Sequence, residues 1–237
     1  MLAPLLLTAA VVASQAQAPA RRADDPPPDS FQPDPSWKDL NKGRNNLWFD
    51  PKGRRLILRA RVAQHNEVAL EHLLCLARTK EHESVLATDA PARMIQAGLL
   101  LTGAEPIHPV RFRPRFEPPE GTPIAVEAEW VEDGKARRLD AREFVKDIRS
   151  GKTLDRDWVF GGSLELIDPD TKRPLFAADD GDLITVANFP SAILDVPFAS
   201  SDSDAERTFV ANSAKVPPKG TYVTLILRPT PAKEKTP

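Results

Sequence analysis

The 237-residue chain is poor in residues that several kinds of protein chemistry require. Its one cysteine, Cys75, excludes an internal disulfide and any cage of several thiolates around zinc or an iron–sulfur cluster. Lys and Arg together number 32 and Asp and Glu number 34, so the chain lacks the positive excess that nucleic-acid binding needs. We therefore predict a protein that has no disulfide framework and no nucleic-acid partner.

Proline is abundant, by contrast. The 24 prolines are about twice the usual share of about 5%, which argues against a helical bundle and favours strands, turns and linkers. With 41% hydrophobic residues, the chain also has enough apolar material to form one sizeable core.

The two ends differ in composition from the rest of the chain. Residues 1–18 form an uncharged apolar run that ends in small residues, as in a secretory signal peptide, and the run is shorter than the roughly 20 residues that span a bilayer. The alternative is a buried amino-terminal helix. We predict a signal peptide at 1–18, a proline-rich disordered linker at 19–36, a folded domain at 37–228 and a disordered tail at 229–237. The mature protein would then be soluble and extracytoplasmic, either periplasmic or secreted, without a membrane span.

Alternation of apolar and polar residues predicts several strands. The clearest pattern is a hairpin at 122–139, in which Asp133-Gly134 supplies the two positive-φ positions of a primed turn and Trp130 faces Arg137. Segment 69–77 reads as a strand, although its leucines also fit helical spacing. The other predicted strands are 47–50, 55–63, 84–87, 158–167, 182–187 and 221–227.

Two helices are predicted as well. The first begins at the capping residue Asp89 and includes Gly98, which costs about 1 kcal/mol relative to alanine and which we explain by close approach to the sheet. The second covers 140–149, where Asp140 and Glu143 form a capping box. Because strands outnumber helices, the predicted fold class is α+β, a mainly antiparallel β-sheet with two short helices packed on it.

The densest group of reactive side chains lies within segment 71–84. An antiparallel hairpin there would place Cys75 opposite Ser84, with His82 on the diagonal. A histidine beside a cysteine promotes formation of a thiolate nucleophile. The candidate catalytic residues are therefore Cys75, His82, Glu83 and Glu71. The alternative is that Cys75 is simply a small buried apolar side chain.

The same segment offers a candidate metal site formed by His72, His82 and Glu83, because imidazoles and carboxylates are zinc ligands. The chain contains no His-Glu-x-x-His or Cys-x-x-Cys motif. The acidic turn at 179–182 has oxygen ligands of the kind calcium prefers, although such turns are normally solvated. The sequence thus indicates no cofactor and leaves a metal ion open.

A series of short segments follows one another in a characteristic order between residues 47 and 228. They include Glu71-His72-Leu73-Leu74-Cys75, Lys80-Glu81-His82-Glu83-Ser84, Trp158-Val159-Phe160-Gly161-Gly162-Ser163, Asp180-Gly181-Asp182-Leu183-Ile184 and Pro190-Ser191-Ala192-Ile193-Leu194-Asp195. In this order the chain resembles the YdjY-like domain of bacterial exported proteins. The resemblance implies an uncharacterised domain with no established catalytic residues, and it directs attention to His82 and Glu83. Some relatives are described as ferredoxin-like, but one cysteine cannot hold an iron–sulfur cluster.

These observations predict an exported soluble binding or interaction module without an evident catalytic motif. Its partner would be an unknown protein or a small ligand in the cell envelope. One alternative is a metal- or thiol-dependent extracytoplasmic enzyme that uses Cys75, His82 and Glu83. Another alternative is a structural component of a surface assembly.

Overall fold

The computed structural model describes residues 31–200 and 209–230 of the chain, and β-strands are the main regular secondary structure of this part. The strands are β1 Lys38–Asp39, β2 Leu47–Asp50, β3 Arg55–Val62, β4 His72–Leu76, β5 Ser84–Thr88, β6 Pro106–His108, β7 Glu120–Glu132, β8 Lys135–Asp140, β9 Val145–Asp147, β10 Trp158–Phe160, β11 Glu165–Ile167, β12 Pro174–Phe176, β13 Asp182–Thr185, β14 Leu194–Asp195, β15 Phe209–Ala211 and β16 Tyr222–Pro229. The one α-helix in this part is α1, Ala92–Leu101, and short 3-10 turns cover Glu81–Glu83, Ala141–Phe144 and Ala177–Asp180.

Eight of the strands close into a barrel. They follow one another around the ring as β3, β16, β7, β10, β14, β13, β4 and β5, and β5 pairs back with β3. The pairs β4–β5 and β13–β14 are parallel, whereas the other six pairs of the ring are antiparallel. Apolar side chains that include Leu58, Trp158 and Phe160 form the main core, as expected for a small barrel filled by its own side chains. The predicted α+β fold with two helices on a sheet is therefore wrong, because the sheet closes on itself.

Helix α1 lies in the region where the first helix was predicted, and it packs against β2 and β3. A Cβ atom on Gly98 would overlap the Leu56 side chain of β3, so glycine is what allows this approach and the predicted close contact is confirmed. The predicted cap is wrong, because the N-cap residue is Pro91 rather than Asp89 and it makes no side-chain capping bond.

The predicted second helix, 140–149, is also wrong. Asp140 does act as a cap, since its carboxylate accepts a hydrogen bond from the Arg142 backbone N–H at 2.9 Å. The turn ends after Phe144, however, because Val145 takes an extended conformation and pairs with Ala211 of β15. Burial of Phe144 and Val145 in the core thus outweighs the local helix signal.

The hairpin of β7 and β8 confirms the prediction made from its turn. Asp133 and Gly134 have φ angles of 51° and 71°, the positive values that a primed turn requires, and Trp130 pairs with Arg137. Local turn chemistry therefore determines this part of the fold.

Strands β4 and β5 run parallel, so the antiparallel hairpin predicted for 71–84 is wrong. The seven residues 77–83 connect the two strands and bring the chain back beside the start of β4. The chain reverses at Arg78, which has a left-handed φ of 67°, and in the following 3-10 turn. This return is shorter than the usual parallel crossover of a dozen or more residues. It places His72 opposite Ser84 and Cys75 opposite Ala87, instead of Cys75 opposite Ser84.

The predicted signal peptide at 1–18 lies outside the described residues, as do most of the linker 19–36 and most of the tail 229–237. Within the linker, Phe31 is described, and its ring stacks on Trp37 with 5.7 Å between the ring centroids. In the described part of the chain, no helix combines the length and the apolar character needed to cross a lipid bilayer.

Candidate metal centre

The short return between the parallel strands brings three candidate ligands together. His72 is the first residue of β4 and pairs with Ser84, the first residue of β5, so the preceding residues Glu71 and Glu83 are neighbours as well. The Glu71 backbone N–H donates to the Glu83 carbonyl oxygen at 3.0 Å, which fixes this register. Residues at the starts of two parallel strands therefore form a cluster that an antiparallel hairpin would have separated.

The side chains of Glu71, His72 and Glu83 converge in the structure. One potential ligand atom from each residue lies within 4.8 Å of the other two, and all three residues are buried. Two carboxylates and an imidazole at this spacing are ligands that zinc and similar divalent ions accept. We call these three residues the buried trio.

The imidazole of His72 has a fixed orientation. Its Nε2 lies 2.7 Å from Asp182 Oδ1, and its ring stacks on Phe189 with 5.5 Å between the centroids and 9° between the ring planes. Because an ionised carboxylate only accepts hydrogen bonds, Nε2 is the nitrogen that carries the proton in the neutral ring, and Nδ1 keeps its lone pair. Nδ1 is buried and has no hydrogen-bond partner.

Asp182 holds three side chains at once. Its carboxylate accepts hydrogen bonds from His72, from Lys80 Nζ at 2.6 Å and from the Ser191 hydroxyl. Burial by itself would raise the pKa of Asp182, but these hydrogen bonds outweigh burial and hold the pKa well below its usual value. Asp182 is therefore a carboxylate at neutral pH, in the position that an outer carboxylate takes behind a metal-bound histidine.

The region around the buried trio contains both acidic and basic side chains. Glu71, Glu83 and Asp182 supply three carboxylates, and Lys80 supplies one ammonium group, which also lies 5.2 Å from the centre of the Phe189 ring.

Of the other sequence-predicted candidates, His82 lies at the surface. Its side chain is 75% exposed, and its Nε2 is 3.6 Å from Glu83 Oε2. His82 thus contacts one member of the buried trio without belonging to it.

Cys75 lies in a different environment. It packs in a small apolar group with Ala63 and Ala87, and burial raises the pKa of its thiol to about 11. A cysteine nucleophile needs the opposite shift, so these surroundings favour the interpretation of Cys75 as a buried apolar side chain.

Two surface cavities, of about 300 and 470 Å³, share Trp130, Arg137 and Arg138. No residue of segment 71–84 lines either cavity. An inorganic ion needs only a set of ligand atoms rather than an open cavity, so the buried trio suits an ion better than an organic molecule.

Sequence reasoning named Glu71, His72 and Glu83 as candidates but did not group them as the structure does. It missed the part that Asp182 plays, which depends on β13 lying beside β4. The one available signal was the acidic turn at 179–182, whose last carboxylate begins a buried strand and therefore requires a partner. Ser191 lies in a segment that contributes to the family resemblance, but nothing in the sequence assigned it a role, and nothing marked Phe189.

The fold and the site together define a small closed β-barrel domain with a buried histidine–carboxylate cluster at the start of two parallel strands. The family model of the YdjY domain matches residues 47–228, and the chain belongs to that family. The family expected from the order of short segments is thereby confirmed. No curated protein and no solved structure matches the chain.

Proposed function

We propose that this domain is a binding module whose ligand is one divalent transition-metal ion, held by Glu71, His72 Nδ1 and Glu83. The observation that carries the proposal is the buried Nδ1 atom of His72, which has no hydrogen-bond partner although His72 belongs to a cluster with two carboxylates. Leaving such an atom unsatisfied costs about 1–3 kcal/mol. An ion coordinated by Nδ1 removes this cost.

The chemistry of the ligand set defines the class of ion. Magnesium and calcium prefer sites made entirely of oxygen atoms, whereas an imidazole beside carboxylates suits zinc and its neighbours among the transition metals. The buried trio contains no thiolate, which disfavours copper(I). Three protein ligands leave a fourth position of a tetrahedral ion for water or for a further ligand.

The proposed location of this module is outside the cytoplasm, and the support is the apolar, uncharged run at 1–18. The full chain would be expressed in a bacterial host and the cells fractionated. We expect the protein in the extracytoplasmic fraction, with an amino terminus near residue 19 when measured by mass spectrometry. Recovery of the full-length chain from the cytoplasm alone would contradict this part of the proposal.

Equilibrium metal binding tests the function itself. The purified protein would be stripped with a chelator and titrated with Zn²⁺ by calorimetry, and bound metal would be counted after gel filtration. We expect one ion per chain for the unmodified protein. His72→Ala should abolish binding, and Asp182→Asn should weaken it about 10- to 100-fold because it removes only the orienting group.

Two further variants make this test specific. Glu83→Gln keeps the size of a ligand side chain that is less deeply buried than His72, so it tests loss of binding with less risk to folding. His108→Ala is the matched control, because His108 Nε2 lies 3.4 Å from Glu120 Oε2 in a histidine–carboxylate pair of strands β6 and β7 that is separate from the buried trio. If the unmodified protein retains no more zinc than a zinc-free blank, or if His72→Ala and Glu83→Gln bind as it does, the proposed function is wrong.

A further inference from the structure

His82 lies at the surface beside the buried trio, close to the carboxylate of Glu83. The Nε2 atom of His82 lies 3.6 Å from Glu83 Oε2, and its side chain is 75% exposed, whereas that of Glu83 is only 12% exposed. Glu83 therefore connects an accessible imidazole with the His72 side chain, which is fully buried.

The separation of the two atoms matches the spacing of metal ligands. Two ligand atoms that each lie about 2.0–2.1 Å from a tetrahedral zinc ion are about 3.3 Å apart. The His82 nitrogen and the Glu83 oxygen need to move by only a few tenths of an ångström to hold one ion between them. The ring of His82 can make this movement because it is exposed and its backbone lies in a short 3-10 turn at the surface.

We propose that His82 and Glu83 form a surface capture pair, from which the ion passes to Glu71 and His72. Glu83 is the ligand common to both positions, so the ion remains coordinated by protein throughout the transfer. His82 releases the ion once the buried trio holds it. This inference rests on the proposed function, because it describes the route to the same site.

A capture ligand that is absent from the final complex changes rates without changing affinity. His82→Ala should slow zinc binding and zinc release by the same factor, about tenfold, which corresponds to about 1.4 kcal/mol on the barrier between solvent and the buried site. The dissociation constant should stay within a factor of about two of the unmodified value, because the free energies of the free and bound states do not change. The His82 side chain is 75% exposed, so the variant should fold normally.

Stopped-flow measurements separate these possibilities. The metal-free protein would be mixed with Zn²⁺ in the presence of a chromophoric chelator, and the zinc-loaded protein with excess chelator, which gives the binding and release rates. His108→Ala again serves as the control and should leave both rates unchanged. Slower binding and release of His82→Ala at an unchanged dissociation constant support the capture pair.

Three results would overturn the inference in distinguishable ways. If the unmodified protein binds no zinc at equilibrium, the proposed function fails and the capture pair fails with it. If the unmodified protein binds zinc and His82→Ala binds it equally fast, the capture pair alone is wrong. If His82→Ala weakens equilibrium binding through faster release, His82 is a ligand of the bound ion and not a transient one.

Discussion

A buried carboxyl group outside the metal centre gives the sharpest prediction about stability. Asp195 of β14 is 2% exposed, and its carboxylate accepts hydrogen bonds from Thr185 Oγ1 at 2.9 Å, from the Asn188 amide and from the Val196 backbone N–H at 2.7 Å. Burial raises the pKa of Asp195 to about 7, and these hydrogen bonds only partly oppose the rise. In the unfolded chain the same group has a pKa near 4.

This difference makes folding depend on pH in a defined direction. Between pH 4 and 7 the folded state holds a proton on Asp195 that the unfolded state has lost, so the free energy of unfolding falls as the pH rises through this window. The stabilisation that protonated Asp195 gives the folded state is complete below pH 4 and is lost above pH 7. From pH 5 to pH 8 the loss amounts to about 2–3 kcal/mol.

The measurement is urea unfolding of the unmodified protein and of Asp195→Asn between pH 5 and 8. Other carboxylates contribute to both profiles, so the difference between the two free energies of unfolding isolates Asp195. Relative to Asp195→Asn, we expect the unmodified protein to lose about 2–3 kcal/mol of free energy of unfolding between pH 5 and pH 8. An Asp179→Asn variant, which changes an exposed carboxylate, should run parallel to the unmodified protein. If the Asp195→Asn profile is parallel as well, the reasoning about Asp195 is refuted.

Two further predictions concern packing. Gly121→Ala should destabilise the fold by about 3 kcal/mol or more, because Gly121 has a φ of 154° and the added Cβ would overlap the Phe160 carbonyl oxygen. Gly98→Ala should cost only about 1 kcal/mol, because the atoms that must move are the ends of the Leu56 and Leu40 side chains. Thermal unfolding checks this order, and equal costs would contradict it. Cys75 should resist thiol reagents at pH 7.5 and react fully in denaturant, and rapid labelling of the native protein would disprove its burial.

Local signals predicted the local parts of the fold. The Asp133-Gly134 turn determines the β7–β8 hairpin because both positions require positive φ, and the small size of Gly98 indicated a helix in close contact with a strand. The capping box at Asp140 was misleading, because its helix signal competes with the burial of Val145 in a strand pair with a distant segment. Barrel closure has no local signal, since β3 meets β5 only after the chain reverses at Arg78, a residue type that rarely takes positive φ.

The candidate site likewise has residues that the sequence indicated and a grouping that only the fold produces. Glu71, His72 and Glu83 could be recognised from their residue types within one short segment, but their grouping required the parallel register. The contribution of Asp182 could not be predicted, because 110 positions separate it from His72. No pattern in a single sequence links residues that are so far apart along the chain, whereas the barrel makes their strands neighbours.

The short loop between β4 and β5 ties the architecture of the domain to its binding chemistry. Residues 77–83 are just long enough to bring the chain back along four pairs of β4, and this same stretch carries His82 and Glu83. An insertion or deletion of one residue here would shift the register of β5 by one residue, so that its side chains exchange faces and Glu83 turns away from His72. The same shift would change the register in which β5 pairs with β3. Two separate requirements thus constrain the length of this loop, one set by closure of the barrel and one by the geometry of the candidate site.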